Sequence, residues 1–169
     1  YLGDALKYVE DLVASGGVII FVGTKKQSKL IVENYAKECG MPFVSERWLG
    51  GTLTNFAQIF QVIKKYKTLK ERFEKGEMKR YTKKEQSIFQ KELAKLEKFV
   101  GGLSTLTKLP DCVYIVDARW DDTAVREANR KRVPIVALCD TNVDPYKITR
   151  PIPANDDATR TIELMTRLI

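Results

Sequence analysis

The apolar positions of this chain follow two rhythms, short unbroken runs and repeats of three and four residues. Leu2, Leu6, Val9, Leu12 and Val13 recur at helical steps and predict an opening amphipathic helix, stopped at Gly16-Gly17. From Gly17 to Gly23 the run is apolar throughout, as in a strand buried on both faces of a parallel sheet. Thr24 is placed to cap a helix over Lys25–Cys39, with Leu30, Ile31 and Tyr35 at apolar spacing, and Pro42–Ser45 predicts a short second strand. Pattern then gives way to the stretch Arg47-Trp-Leu-Gly-Gly-Thr-Leu-Thr-Asn-Phe56, a glycine-containing corner.

Beyond the corner the helical rhythm dominates. Leu53 to Phe73 predicts a long helix through Phe56, Ile59, Ile63, Tyr66 and Phe73, with Lys70 interrupting the seam. Lys75-Gly76-Glu77 breaks it, and Thr82-Lys83-Lys84-Glu85 matches a capping box at the head of a second helix. That helix carries Phe89, Leu93, Leu96, Val100 and Leu103. Two such seams across one turn predict an antiparallel coiled-coil hairpin, whose tip is expected to need a partner to hold it still.

Strand patterning resumes at Cys112–Val116, followed by a helix from Asp121-Asp122 to near Arg132, a strand over Pro134–Cys139 and another near Ile148–Ile152. Asn155-Asp156-Asp157 caps a closing helix with Ile162, Met165, Leu168 and Ile169 on its apolar face and Leu164 on the flank. Strands alternating with helices predict a flavodoxin-like, doubly wound parallel sheet of about five strands in the order 2-1-3-4-5, class α/β, with the helical hairpin inserted. On this reading residues 1–55 and 104–169 form the core and 56–103 the protrusion.

Composition narrows the chemistry. A hydrophobic content of 44% suits a globular fold, and no apolar run approaches the roughly twenty residues of a membrane span. No signal-peptide pattern is visible, and a start at Tyr1 leads us to expect a preceding segment. Cys39, Cys112 and Cys139 fit no zinc or disulfide spacing, which points to buried thiols in a reducing cytosol. Histidine is absent, and with it the classical triads and histidine-metal sites.

Net charge is +7, and its distribution is informative. Lys64 to Lys98 holds thirteen Lys or Arg against six Glu, while the rest of the chain holds sixteen of each sign. A basic stripe confined to one element reads as a footprint for a phosphate backbone, the plain alternative being a solvated helix surface. At the carboxyl ends of the strands, Asp117 and Asp140 with Lys25 would suit a magnesium-dependent or acid/base enzyme, or a small-molecule sensor. Gly23-Thr-Lys-Lys lacks the glycine-rich loop of a nucleotide site, and strand-end acids are routine turn formers. Arg47-Trp48 and Arg119-Trp120 each pair a charge with a stacking face, suited to a base or ribose or simply to a core anchor. A protein-only scaffold gripped by its hairpin is the third class.

The block Arg47–Phe56 strongly resembles the bacterial small-subunit ribosomal protein two family. Phe21-Val-Gly-Thr-Lys-Lys-Gln27, Leu109-Pro-Asp111, Asp140-Thr-Asn142 and Asn155-Asp-Asp-Ala158 agree in the expected order. The resemblance implies a non-enzymatic constituent of the small ribosomal subunit without a cofactor or metal. It also implies contacts with ribosomal RNA and neighbouring ribosomal proteins, including ribosomal protein one, and none with DNA or membrane. A cytoplasmic ribosome is the expected location, an organellar one the alternative. The RNA-contacting candidates are Lys25, Lys26, Arg47, Trp48, Thr52, Asn55, Lys64, Lys65, Arg80, Lys83 and Lys84. Arg119-Trp120 and Ala154 depart from the family pattern.

Overall fold

A computed structural model describes the backbone of residues 1–169 and every side chain except that of Lys79. The chain runs α1 (Leu2–Ala14), β1 (Ile19–Val22), α2 (Lys29–Glu38), β2 (Phe43–Val44), α3 (Phe56–Glu74), α4 (Lys83–Val100), β3 (Cys112–Ile115), α5 (Asp122–Lys131), β4 (Ile135–Cys139), β5 (Arg150–Pro153) and α6 (Thr159–Leu168). The five strands form one sheet in the order β2-β1-β3-β4-β5, and every pairing is parallel. The expected strand order is therefore the observed one.

Strand side chains point alternately to opposite faces, so the unbroken apolar runs feed two cores. Ile20, Val22, Val113, Ile115, Ile135 and Ala137 face α5 and the base of the hairpin. Ile19, Phe21, Cys112, Tyr114, Val136 and Leu138 face α1, α2 and α6. Tyr114, fully buried, meets Phe21 edge-on at 5.4 Å, and its hydroxyl shares a 3.1 Å hydrogen bond with Thr166. That bond satisfies both hydroxyls in the interior, where an unpaired one would be costly.

Several boundaries move for physical reasons. Thr24 caps no helix: its hydroxyl donates 2.8 Å to Asp121, and α2 begins four residues later than expected, at Lys29. Val32 and Ala36 consequently form its buried face, and Leu30 is 71% exposed. The hairpin helix starts at Phe56 rather than Leu53, because residues 50–55 are a turn. Its seam passes through Leu69, one residue before Lys70. Asn155 opens no helix directly; its side-chain oxygen accepts the amides of Asp157 and Ala158, and α6 starts at Thr159.

α3 and α4 pack against one another as an antiparallel pair, and Lys65 on α3 meets Glu92 on α4 at 2.5 Å. The base of the pair is part of the core: Ile59, Ile63, Tyr66, Val100 and Leu103 are buried with Ile20 and Val22. A Cβ on Gly102 would collide with the Phe43 carbonyl oxygen, so the return from the hairpin can pass β2 this closely only as glycine. Glu46, after β2, accepts Lys29 of α2 at 3.1 Å and Lys98 of α4 at 3.4 Å.

The tip is braced by contacts among its own residues. Arg72 donates 2.6 Å to the Tyr81 hydroxyl and pairs with Glu77 at 3.4 Å. The Tyr81 ring meets Phe89 edge-on at 5.2 Å, Gln86 donates 2.8 Å to the Tyr81 carbonyl, and Met78 is buried beneath. The expected capping box forms, with the Glu85 amide donating to the Thr82 hydroxyl and the Thr82 amide to the Glu85 carboxylate.

Candidate nucleic-acid interface

Between the sheet and the hairpin, the corner 47–56 is organised by a residue far away in sequence. α5 presents Ala124, Val125 and Ala128 to the core, and Glu127 falls within the same buried stripe. Its carboxylate accepts the amides of Gly51 at 2.6 Å, Leu53 at 3.0 Å and Thr54 at 3.1 Å. It also accepts the Thr54 hydroxyl at 3.1 Å and the Trp48 indole N–H at 3.3 Å. Gly51 reaches this arrangement with φ +95°, a conformation that a side chain disfavours. Burial opposes ionisation of Glu127, but the amides of Gly51, Thr54 and Leu53 with the Trp48 indole outweigh it and hold the carboxyl below its ordinary range.

This knot changes the standing of two candidates. Trp48 is 5% exposed and packs in the core, so its face is closed to a base. Thr52 is fully buried and donates 2.6 Å to the Leu49 carbonyl. Both are anchors of the corner. Arg47 and Asn55, from the same stretch, are exposed. Glu127 itself was missed by sequence reasoning, although a lone carboxylate among alanines and a valine on one helical face demands partners.

Lys25 is also occupied. Its ammonium lies 2.7 Å from Asp117, 2.5 Å from Asp157 and 3.6 Å from Asp156, joining the ends of β1 and β3 to the turn before α6. Burial disfavours its charge, yet hydrogen bonds to Asp117 and Asp157 raise its pKa above the usual lysine value. Nearby, burial pushes the carboxyl of Asp121 up to about 6 against the hydrogen bonds from Thr24. Burial also raises Asp156, one of whose oxygens is enclosed without a hydrogen-bond partner. Lys25 and Asp117 thus neutralise one another, and the rim presents no free lysine at that position for a substrate phosphate. Lys26 beside them is exposed.

The hairpin differs. Lys64, Lys65, Arg80, Lys83 and Lys84 are all exposed. Lys65 is tied to Glu92, and Lys64 lies 4.7 Å over the Phe60 ring. Arg80, Lys83 and Lys84 cluster at the tip and, with Lys67, Lys91 and Lys95, make no ion pair among the described residues. Most of the hairpin's acids are engaged: Glu77 with Arg72, Glu85 in the cap, Glu92 with Lys65, Glu71 with Lys75. At 1.5 Å per residue, α3 carries this surface about 27 Å from Phe56 to the tip. The structure therefore groups the candidates into a core-anchored set (Lys25, Trp48, Thr52) and an exposed one.

Comparison with known proteins places this geometry. The family described as Ribosomal protein S2 matches residues 1–169. A curated "Small ribosomal subunit protein uS2" from a Nitratiruptor species is 48% identical over 159 residues, 94% of this chain and 60% of that protein. The protein of the same name from Spiroplasma citri is 45% identical over 168 residues, 99% of this chain and 47% of its own length. That of Endomicrobium trichonymphae is 47% identical over 163 residues, 96% of this chain and 67% of its own. The chain thus spans about half to two thirds of the length of these relatives.

Proposed function

Because this chain belongs to the ribosomal protein S2 family, we propose that it is a structural constituent of the small ribosomal subunit, binding ribosomal RNA in translation without catalysing a reaction. The observation that carries the RNA reading is the set of exposed cations along the hairpin and at its self-held tip. Each phosphate that such a cation neutralises releases condensed counterions, and that release supplies salt-dependent affinity. The tip's internal bonds lower the ordering cost of docking, because the surface exists before the partner arrives.

In this reading the core, 1–55 and 104–169, is the rigid dock, and the hairpin, 56–103, is the arm. Contacts fall to Lys26, Arg47, Asn55, Lys64, Arg80, Lys83 and Lys84, with Lys65 weakened by its ion pair. Lys25, Trp48 and Thr52 act from within, by fixing the rim and the corner. Neighbouring small-subunit proteins, ribosomal protein one among them, join the RNA as partners on the strength of the family resemblance. The setting is a cytoplasmic ribosome of bacterial type.

The test is sedimentation of the tagged full-length protein through a sucrose gradient. Comigration with small subunits that is lost after mild nuclease treatment supports the proposal. A protein remaining at the top of the gradient, with saturable nucleotide binding by calorimetry, supports a small-molecule role instead.

A further inference from the structure

An open groove of about 440 Å³ lies between α3 and α4 at the base of the hairpin, used neither by the Glu127 knot nor by the tip cations. Leu49 from the corner, Val62 from α3, and Leu96 and Phe99 from α4 give it an almost wholly carbon-lined surface. Lys91 and Lys95 border it on α4. Glu92, the acid between them, is already tied to Lys65 at 2.5 Å, which leaves the two lysines uncompensated. Ile88, about two turns nearer the tip than Leu96, is 56% exposed and prolongs the apolar stripe.

An apolar surface rimmed by like charge is an expensive thing to leave in water. A phosphate backbone gains nothing from a carbon floor, whereas apolar side chains do. The groove also runs between two helices, and a third helix packs along such a channel as helices do in bundles. We propose that it receives an acidic amphipathic helix of a partner protein. Apolar side chains at i, i+3 or i+4 and i+7 enter the groove, and Asp or Glu beside them meets Lys91 and Lys95. Of the RNA candidates on α3, Lys64 projects about 200° around the helix from Val62, on the far side, while Lys65 borders the groove through its pair with Glu92. The apolar floor and Ile88, which a phosphate contact does not use, let the two readings be tested apart.

Fluorescence polarisation with the full-length protein tests it, using three labelled probes. These are a stapled helix with leucines at the stated spacing and glutamates beside them, a scrambled peptide of the same composition, and a single-stranded RNA oligonucleotide. The amphipathic helix is expected to bind at least about tenfold more tightly than the scramble. Lys91→Glu with Lys95→Glu, its fold checked by circular dichroism, weakens the helix about tenfold and weakens RNA by a clearly smaller factor. Ile88→Ser weakens it by a smaller factor. Should the reversal disturb the fold, Lys91→Gln with Lys95→Gln replaces it with the same expected direction. Equal binding of helix and scramble overturns the proposal. So does a charge reversal that weakens RNA as much as the helix, which would assign this face to RNA.

Discussion

At the corner, three amides, a hydroxyl and an indole converge on the single carboxylate of Glu127, whereas along the arm the cations of Lys67, Arg80, Lys83 and Lys84 are left to solvent. The most distinctive words of the sequence thus turn Trp48, Thr52 and Leu53 inward. The least distinctive, a run of lysines, is what the molecule presents outward. The buried part of the motif marks a place where the backbone must be held, and only Arg47 and Asn55 at its ends stay exposed as candidate contacts. The same division separates two kinds of lysine: Lys25 is consumed by Asp117, Asp156 and Asp157, and the tip lysines are not consumed by anything described.

The sharpest way to break this comparison is Glu127→Ala. It strands the amides of Gly51, Leu53 and Thr54 in a buried site, and a loss of about 3–5 kcal/mol is expected in urea denaturation. Glu127→Gln, which keeps one acceptor oxygen, is expected to lose less. A loss below about 1 kcal/mol for the alanine variant would mean that the corner does not depend on the carboxylate. The pH dependence has a definite sign. Because the folded carboxyl lies below its ordinary range, the stabilisation is complete above the ordinary glutamate pKa near 4.3 and is lost as pH falls below it.

Gly102→Ala comes next, with an expected loss of about 2–3 kcal/mol, since its Cβ would collide with backbone rather than a yielding side chain. Thermal unfolding measures the loss, and retention of full stability would show that the hairpin base can slide away from β2. Asp121→Asn has the opposite sign. The wild-type carboxyl titrates near 6 when folded and near 3.9 when unfolded, so the folded state binds the extra proton and stability declines as pH rises between them. The variant keeps one acceptor for the two Thr24 donors and lacks the titration, so its stability relative to wild type is expected to rise between about pH 4 and pH 6. Smallest is Tyr81→Phe, which removes the hydroxyl met by Arg72. It is expected to cost about 0.5–1 kcal/mol and to raise amide exchange only around residues 77–86.

Much of the fold was legible because its signals are local. Ile19 to Val22 and Ile135 to Leu138 are apolar at every position, as suits a strand covered on both faces, and the strand order is that of a flavodoxin-like doubly wound sheet. The candidate site was legible as a region and not as residues. The charge run identified the arm, but its exposed and engaged lysines differ by partners such as Glu92 and Asp157, which periodicity cannot place. Glu127 escaped notice because its partners are backbone amides 73 to 76 residues earlier in the chain. The self-held tip escaped because Arg72, Tyr81 and Phe89 meet only once the helices fold back.

The salt dependence of RNA binding tests the central claim most directly. Affinity of the full-length protein for small-subunit ribosomal RNA is measured across a salt series for wild type, for Lys64, Arg80, Lys83 and Lys84 all replaced by Gln, and for Lys25→Gln. The arm variant is expected to lower the magnitude of the log–log slope by roughly 3, from 0.7 to 0.9 for each contact removed, with Lys25→Gln at the wild-type slope. An arm variant with wild-type slope, or a Lys25→Gln variant that loses as much, would contradict the account.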